Sequence, residues 1–448
     1  MRRSVPALLA AGLLLSACHR SPVKEDPDYG DEVTDTVPAF YGRVPKNVLM
    51  ISMDTFRVDH LDRAPFLSTV AAQGFRAVDT TQCSNWTFAS TSCTLAGRYN
   101  EQAGMIPQLA VNFDGIWPVG TPFLASYLHD AGYYSVIAST NGWLGPEWGN
   151  TGGYDDAFHP QNGTAWGAYL EARERLDAHL EQGADRWLMH VHVTEPHASY
   201  SPPLEYLGGL DALDPVPWDL DDRDEQYDVT RNVWPSMTDE ERDLLKQHLL
   251  VRYDGELKYL DDQVFRMIAG MDFDGLLDDT LVVFWTDHGE AFWDHDQQTH
   301  AYTLFREEND GLLFFWAKNI VPQVWTGPVS SIDMVPTVLK LLGQPLPDTV
   351  TGIPIGEAPD DRPRFANTIA RFGPISSVIQ DHWKMIFRWD GTVQLYDLAA
   401  DPQEQTDLYD PAAPTDRAKT LWAELRPRIE EELSVVPGLS AAWPSELE

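Results

Sequence analysis

The sequence predicts an α/β fold, with a large, mostly parallel sheet sandwiched by helices over residues 45–345 and a small C-terminal α+β subdomain over 346–434. Three observations carry this. From Lys46 onward, short continuous apolar runs alternate with segments of helical periodicity, the pattern of a largely parallel sheet covered by helices. Several of those runs end in Asp or His, and the carboxyl edge is where open parallel sheets bind ligands. After Gly343 the texture changes to Pro- and Asp-rich sequence, then to short strand patterns that suit an antiparallel set.

In chain order, Val48-Leu49-Met50-Ile51-Ser52-Met53 reads as the first strand, and helix periodicity follows over 65–73 and 121–130. Strands over 134–139 and 187–193 enclose a helix over 166–181. The stretch 204–236 holds Pro, Gly and an acidic run around 219–228, and reads as an insertion loop lying over one face. A long helix over 238–271 leads to a strand over 280–285, whose Leu281-Val282-Val283-Phe284-Trp285 core runs straight into Thr286-Asp287-His288-Gly289-Glu290. A helix over 332–342 closes the large unit. Strands over 374–380, 382–388 and 393–397 and a helix over 414–433 form the small one.

Among 448 residues, 32 are Lys or Arg and 69 are Asp or Glu, which argues against nucleic acid and against an electrostatic hold on anionic lipid. An anionic substrate would need local positive charge, and bound metal ions are a source of it. The N-terminus reads as an export signal over 1–17: Arg2-Arg3, an apolar stretch over 5–15 and then small residues. Leu15-Ser16-Ala17-Cys18 resembles a bacterial lipoprotein signal, which would place a lipid on Cys18, make 18–44 a tether, and put the protein at the cell envelope, on the outer membrane or periplasmic face. Cys83 and Cys93 are the remaining cysteines; spacing leaves open whether they form a disulfide or stay as buried thiols.

Asp54 follows the first strand as Asp287 follows the strand at 280–285. The strand at 187–193 ends in His190-Val191-His192-Val193-Thr194-Glu195-Pro196-His197, where alternation sets His190 and His192 on one face, with Glu195 and His197 in the turn beyond. His295 and Thr299-His300 lie on the loop after His288. Carboxylates and imidazoles thus reach one sheet edge from three strands. Such mixed sets suit zinc or manganese, and with enough ligands they suit a two-metal clamp on a tetrahedral ester. For the nucleophile, residues 85–98 offer several hydroxyls and a thiol, and composition does not choose among them.

These blocks, in this order, resemble the sulfatase branch of the alkaline phosphatase-like superfamily, over stretches 47–60, 85–104, 192–203, 253–290, 304–308, 331–343 and 395–404. The resemblance covers about residues 45–430 and implies that family's fold. It implies a main metal site at Asp54, Thr87, Asp287 and His288, holding Zn, Mn or Ca, as one ion or two. Counting back from Gly97-Arg98, Thr87 also falls on the nucleophile position, with Ser90 as the alternative, while Cys93 has the wrong register. His192, Glu195, His197 and His300 match positions that in relatives bind substrate oxygens, protonate the leaving group or hold a second ion. Of these the resemblance makes His192, His197 and His300 catalytic, and Glu195, His197 and His300 a second ion site.

The departures narrow the chemistry. Members of the usual kind carry Cys or Ser followed by X-Pro-X-Arg, because that residue is oxidised to an aldehyde whose hydrate attacks sulfur; here Thr87 and Thr91 stand at the nucleophile and Arg positions. Threonine cannot become formylglycine. Thr55 replaces the second Asp of the family's pair, and Thr299 stands at the usual Lys. What remains resembles the Thr-nucleophile members, which act as phosphodiesterases, phosphonate hydrolases and phospho-alcohol transferases. The expected reaction is hydrolysis of a sulfated or phosphorylated glycan, lipid or small molecule, with phosphoester chemistry ahead of sulfate. Thr87 attacks phosphorus or sulfur in line, and His197 or His192 assists the departing alcohol. The alternatives are an envelope phospho-alcohol transferase and a metal-bearing binding protein with lost catalysis.

Overall fold

The structure, a computed structural model, describes residues 27–104, 120–370, 373–435 and 438–447. The export signal, Cys18 and the first part of the tether lie outside the described residues. Eight strands form the main sheet: Asn47–Met53 (β1), Phe75–Ala77 (β2), Tyr134–Ser139 (β3), Asp156–Phe158 (β4), Trp187–Val193 (β5), Thr280–Thr286 (β6), Leu313–Trp316 (β7) and Gln323–Trp325 (β8). Their order is β8-β2-β7-β6-β1-β5-β3-β4. β1, the central strand, runs parallel to β5 and β6, and β7 runs antiparallel to both its neighbours. The short strands β2, β4 and β8 and the antiparallel β7 escape a reading that looks for long parallel runs, because three residues are too few to show a period.

Alternation along β1 splits the core in two. Leu49, Ile51 and Met53 pack with helices Pro65–Gln73 (α1), Ala165–Glu181 (α4) and Asp239–Phe273 (α6) on one face. Val48 and Met50 face the other side with Thr87–Ala96 (α2), Leu124–Asp130 (α3) and Met334–Leu341 (α7). The long α6 starts where a capping box forms, with the Thr238 hydroxyl accepting from Glu241 N–H at 3.3 Å and the Glu241 carboxylate accepting from Thr238 N–H at 2.8 Å.

The C-terminal sheet has four antiparallel strands, Arg364–Ala370 (β9), Gly373–Gln380 (β10), Trp383–Arg388 (β11) and Val393–Asp397 (β12), covered by Asp416–Val435 (α8). β9 is not among the strands expected for this sheet from the sequence, which begin at residue 374. It pairs along all its length with β10, and its Asn367 N–H reaches the Cys83 carbonyl oxygen at 3.1 Å, so this sheet is joined to the segment before α2.

Two expectations change. The described part of the supposed tether is docked: Phe40 is fully buried and bridges to Ile320, and the Tyr29 hydroxyl donates to the Asp278 carbonyl at 2.9 Å. One large aromatic side chain in the core is enough to hold the segment down. The 204–236 stretch is not a bare loop. It winds into Arg223–Asp228 (α5) and a π-helical turn, Val229–Val233, and brings Tyr227 and Arg231 over the carboxyl edge of the sheet. Among the described residues no helix is long and apolar enough to cross a membrane.

Candidate active site

Parallel register assembles the site. Met53 pairs with Val193 and with Thr286, so the residues that follow, Asp54 and Asp287, leave adjacent strands at the same level. Ser52 pairs with His192, and Ser139 of β3 pairs with His192 from the other side. Asp54 and Asp287 are fully buried, and burial pushes both carboxyls up to about 7, with the charge of Asp287 adding to the effect on Asp54. Two buried carboxylates side by side call for a cation or for protons.

The histidines show which. The His288 Nδ1 lies 2.9 Å from the Gly289 carbonyl oxygen, which can only accept, so Nδ1 carries the proton. Burial lowers the His288 pKa, so the ring is neutral and its Nε2 presents a lone pair 3.5 Å from Asp54 Oδ1 and 3.6 Å from Asp287 Oδ2. For His192, the Ser52 hydroxyl lies 2.8 Å from Nδ1 and 2.7 Å from His190 Nε2, and His190 Nδ1 lies 3.0 Å from the Tyr154 hydroxyl. Burial holds His190 near 3 and His192 well below the ordinary imidazole value, so both rings are neutral. The chain can run in either direction, and the one that suits a cation beside the two carboxylates runs His192 Nδ1–H to Ser52, Ser52 O–H to His190, and His190 Nδ1–H to Tyr154. It leaves His192 Nε2 as another lone pair, 4.0 Å from Asp54 Oδ2.

Asp54 Oδ1, His192 Nε2 and Asp287 Oδ2 are buried without a hydrogen-bond partner. Ligand atoms of Asp54, His192 and Asp287 all lie within 4.8 Å of one another. Converging lone pairs on two carboxylates and two neutral imidazoles are the chemistry of a divalent-metal site, and these residues fit one. His192, expected from the sequence among the catalytic histidines, thus lies with Asp54 and Asp287 in a group that could hold a metal ion. Its second nitrogen is held by Ser52, the arrangement that orients metal-binding imidazoles.

Thr87 is the first residue of α2, and its hydroxyl lies 3.5 Å from both Asp54 Oδ2 and His288 Nε2. The first intrahelical bond runs from Ser90 N–H to the Trp86 carbonyl, so the N–H groups ahead of it point with the helix dipole at whatever Thr87 faces. Ser90, the alternative nucleophile, is taken: its hydroxyl donates to the Asp287 carbonyl oxygen. The Thr91 hydroxyl is bonded back to the Thr87 carbonyl at 2.6 Å. Cys93 is joined to Cys83 in a disulfide, with Cα atoms 6.5 Å apart, which ties α2 to the segment before it.

His197 and His300 face the cleft above Thr87, with ring centroids 5.0 Å apart. His300 Nδ1 is 3.0 Å from Glu290 Oε1, so that carboxylate orients the ring. His197 commits Nδ1–H to the Ala198 carbonyl at 2.5 Å, which leaves Nε2 for the cleft. Burial opposes charge on His197, but Asp54 and Glu290 outweigh it and hold its pKa above the ordinary value.

Glu195 does not join them. Its carboxylate accepts from Ala165 N–H at 3.1 Å, at the N-terminus of α4, and from Gln263 at 3.4 Å. The helix dipole is a competing partner for a carboxylate in that turn. His295 is also drawn off, between Glu307 at 2.7 Å and the Glu404 carbonyl at 3.0 Å. Asn141 is a site residue that the sequence reading missed. Its amide donates to Asp54 Oδ2 and, at 3.2 Å, to Thr87 Oγ1, while its own oxygen accepts from Trp143 N–H at 2.8 Å. The signal was available, because Asn141 lies two residues past the expected strand over 134–139, at the same edge as Asp54 and Asp287.

The sulfatase family model matches residues 46–344. A choline-sulfatase of Rhizobium meliloti is 28% identical over 185 residues, which cover 39% of this chain and 36% of the relative. An arylsulfatase of Clostridium perfringens is 22% identical over 298 residues, covering 62% of this chain and 59% of the relative. The chain thus spans about a third and three fifths of these two relatives. Among solved structures, the phosphonate monoester hydrolase from Silicibacter pomeroyi has the same fold, with a TM-score of 0.66 at 20% identity, covering 88% of this chain and 96% of that one.

Proposed function

The chain belongs to the sulfatase family, and on that premise we propose that it is a metal-dependent hydrolase of sulfate or phosphate esters that uses Thr87 as nucleophile, with phosphoesters ahead of sulfates. The observation that carries this reading is the Thr87 hydroxyl itself, at the N-terminus of α2 and 3.5 Å from both Asp54 and His288. Threonine cannot form the aldehyde that sulfate-ester members use, but its hydroxyl is competent for attack on phosphorus.

Asp54, His192, Asp287 and His288 would hold a divalent ion, which when bound makes a neighbouring hydroxyl more acidic and offsets the negative charge of the ester. Asn141 fixes the Thr87 hydroxyl and Asp54 together, so the nucleophile is aimed before substrate arrives. The Thr87 proton passes to a solvent water molecule in the open cleft. The Thr87 Oγ1 bond to phosphorus or sulfur forms as the bond to the leaving alcohol breaks, and the proton on His197 Nε2 passes to the departing oxygen. The N–H groups of the first turn of α2 cradle the anionic oxygens. Water then opens the Thr87 ester, which releases the inorganic or monoester anion and restores the hydroxyl.

The test is a panel of aryl sulfate, phosphomonoester, phosphodiester and phosphonate ester on one preparation of measured metal content. Thr87→Ala is expected to lower turnover by roughly a thousandfold or more; unchanged turnover would refute the nucleophile. The same reading places the protein at the cell envelope through a lipid on Cys18. Palmitate labelling that persists in Cys18→Ala would overturn that part.

A further inference from the structure

The cleft over Thr87 has a cavity volume of about 200 Å³, and its walls above the reacting centre are aromatic: Trp86, Trp143 and Tyr227. Trp86 and Trp143 meet edge to face, with centroids 5.7 Å apart at 82°, and Trp143 remains 40% exposed, which leaves apolar ring surface open to the cleft. The opposite wall is held in place. The Tyr227 hydroxyl donates to the Ala198 carbonyl at 3.0 Å, the same oxygen that takes the His197 Nδ1 proton, so this wall moves with a residue of the reacting centre.

Arg231 completes the rim. It sits in the middle of the π-helical turn Val229–Val233, a winding found disproportionately at functional sites. Its guanidinium lies 4.6 Å from the centre of the Tyr227 ring, which positions it by cation–π contact. Arg252 is paired with Asp221 and Arg242 with Asp239, whereas among the described residues the side chains of Arg231 and of Arg223, 5.7 Å from the same Tyr227 ring, have no ion pair; of these two, Arg231 is the one that lines the cleft. In a chain of net charge −37, an unpaired cation over the cleft is the local charge that an anionic group would seek.

We infer that the cleft binds esters whose alcohol part is a ring carrying a second anionic group, the ring lying against Trp86, Trp143 and Tyr227 and the anion paired with Arg231. The shared chemistry is a flat apolar ring face plus a carboxylate, sulfate or phosphate, whether the ring is an aryl group or a pyranose. Arg231 is then a specificity residue: it contacts the part of the substrate that leaves, not the atoms that react. The inference rests on the ester-hydrolase reading of the same cleft.

The experiment compares matched esters of the class the wild type hydrolyses: 4-carboxyphenyl with 4-acetylphenyl esters, and glucuronate with glucose esters. Arg231→Met should lower kcat/KM for the carboxylated member by about tenfold or more and leave its neutral partner within about threefold. Arg231→Lys should recover part of the loss, and added salt should shrink the wild-type preference. Trp143→Ala should raise KM for both members of the ring type that fits, which decides between aryl and pyranose. Equal losses on charged and neutral esters, or no loss on the charged one, would overturn the role of Arg231 while hydrolysis of the neutral ester leaves the nucleophile assignment standing. If the wild type hydrolyses none of the four, both readings fall together.

Discussion

Replacing Ser52 by Ala should weaken metal binding without touching any residue assigned to hold the ion. Ser52 Oγ stands 2.7 Å from His190 Nε2 and 2.8 Å from His192 Nδ1, and all three side chains are fully buried. Without the hydroxyl, an imidazole donor and an imidazole acceptor lose their partner in a place that water does not reach. Each orphaned group costs about 1–3 kcal/mol, so a stability loss of roughly 2–6 kcal/mol is expected. The second effect is specific. His192 loses the bond that sets its tautomer and ring angle, and losses of such partners lower metal affinity by about 10–100-fold, or about 1.4–2.7 kcal/mol. The assay is chelator competition for Zn, Mn and Ca on folded protein, with melting temperature measured alongside. Leu421→Ala is the control, because Leu421 is fully buried in the separate core under α8, where truncation costs about 2–5 kcal/mol. Wild-type affinity in Ser52→Ala, or an equal affinity loss in Leu421→Ala, would refute the proton chain drawn through His192, Ser52, His190 and Tyr154.

Three further outcomes are expected. Ser90→Ala should cost about 1 kcal/mol of stability, because the Asp287 carbonyl loses its donor, but should keep turnover within about an order of magnitude; a collapse like that of Thr87→Ala would move the nucleophile to Ser90. Breaking the Cys83–Cys93 disulfide by Cys93→Ser should cost about 3 kcal/mol from loop closure, read as a drop in denaturant midpoint relative to the oxidised protein, with an equal midpoint counting against the bridge. Glu256 is buried, and desolvation raises its pKa from 4.5 to about 8. The folded state therefore holds a proton that the unfolded chain releases, so this group's contribution to stability falls as pH climbs from about 4.5 to about 8 and is flat above. The shift bounds the effect at about 5 kcal/mol. Glu256→Gln should raise the melting temperature at pH 8.5 and change it little at pH 4, and identical pH profiles for the two proteins would sink the argument.

The sequence carried the central strands and their ends because burial on both faces writes a strand as a continuous apolar run, and the polar residue that ends the run is visible beside it. Asp54, Asp287 and His288 could be read in that way, and His190 and His192 could be set on one face by period-two alternation. Family resemblance supplied Thr87, which composition left tied with other hydroxyls; the structure separates it from Ser90, whose hydroxyl is spent on a carbonyl. Roles within the edge cluster depend on contacts between strands, and those have no local signature. Cross-strand register puts Ser52 between two imidazoles and so turns His192 toward the carboxylates. A helix N-terminus, brought in by the packing of α4, claims Glu195. The docking of Phe40 and the placing of Arg231 over the cleft are long-range outcomes of the same kind. A chain can state which groups it delivers to an edge, because that is set by periodicity over a few residues. Which of them share a proton, a cation or a substrate is settled only when distant strands fix their distances to within an ångström.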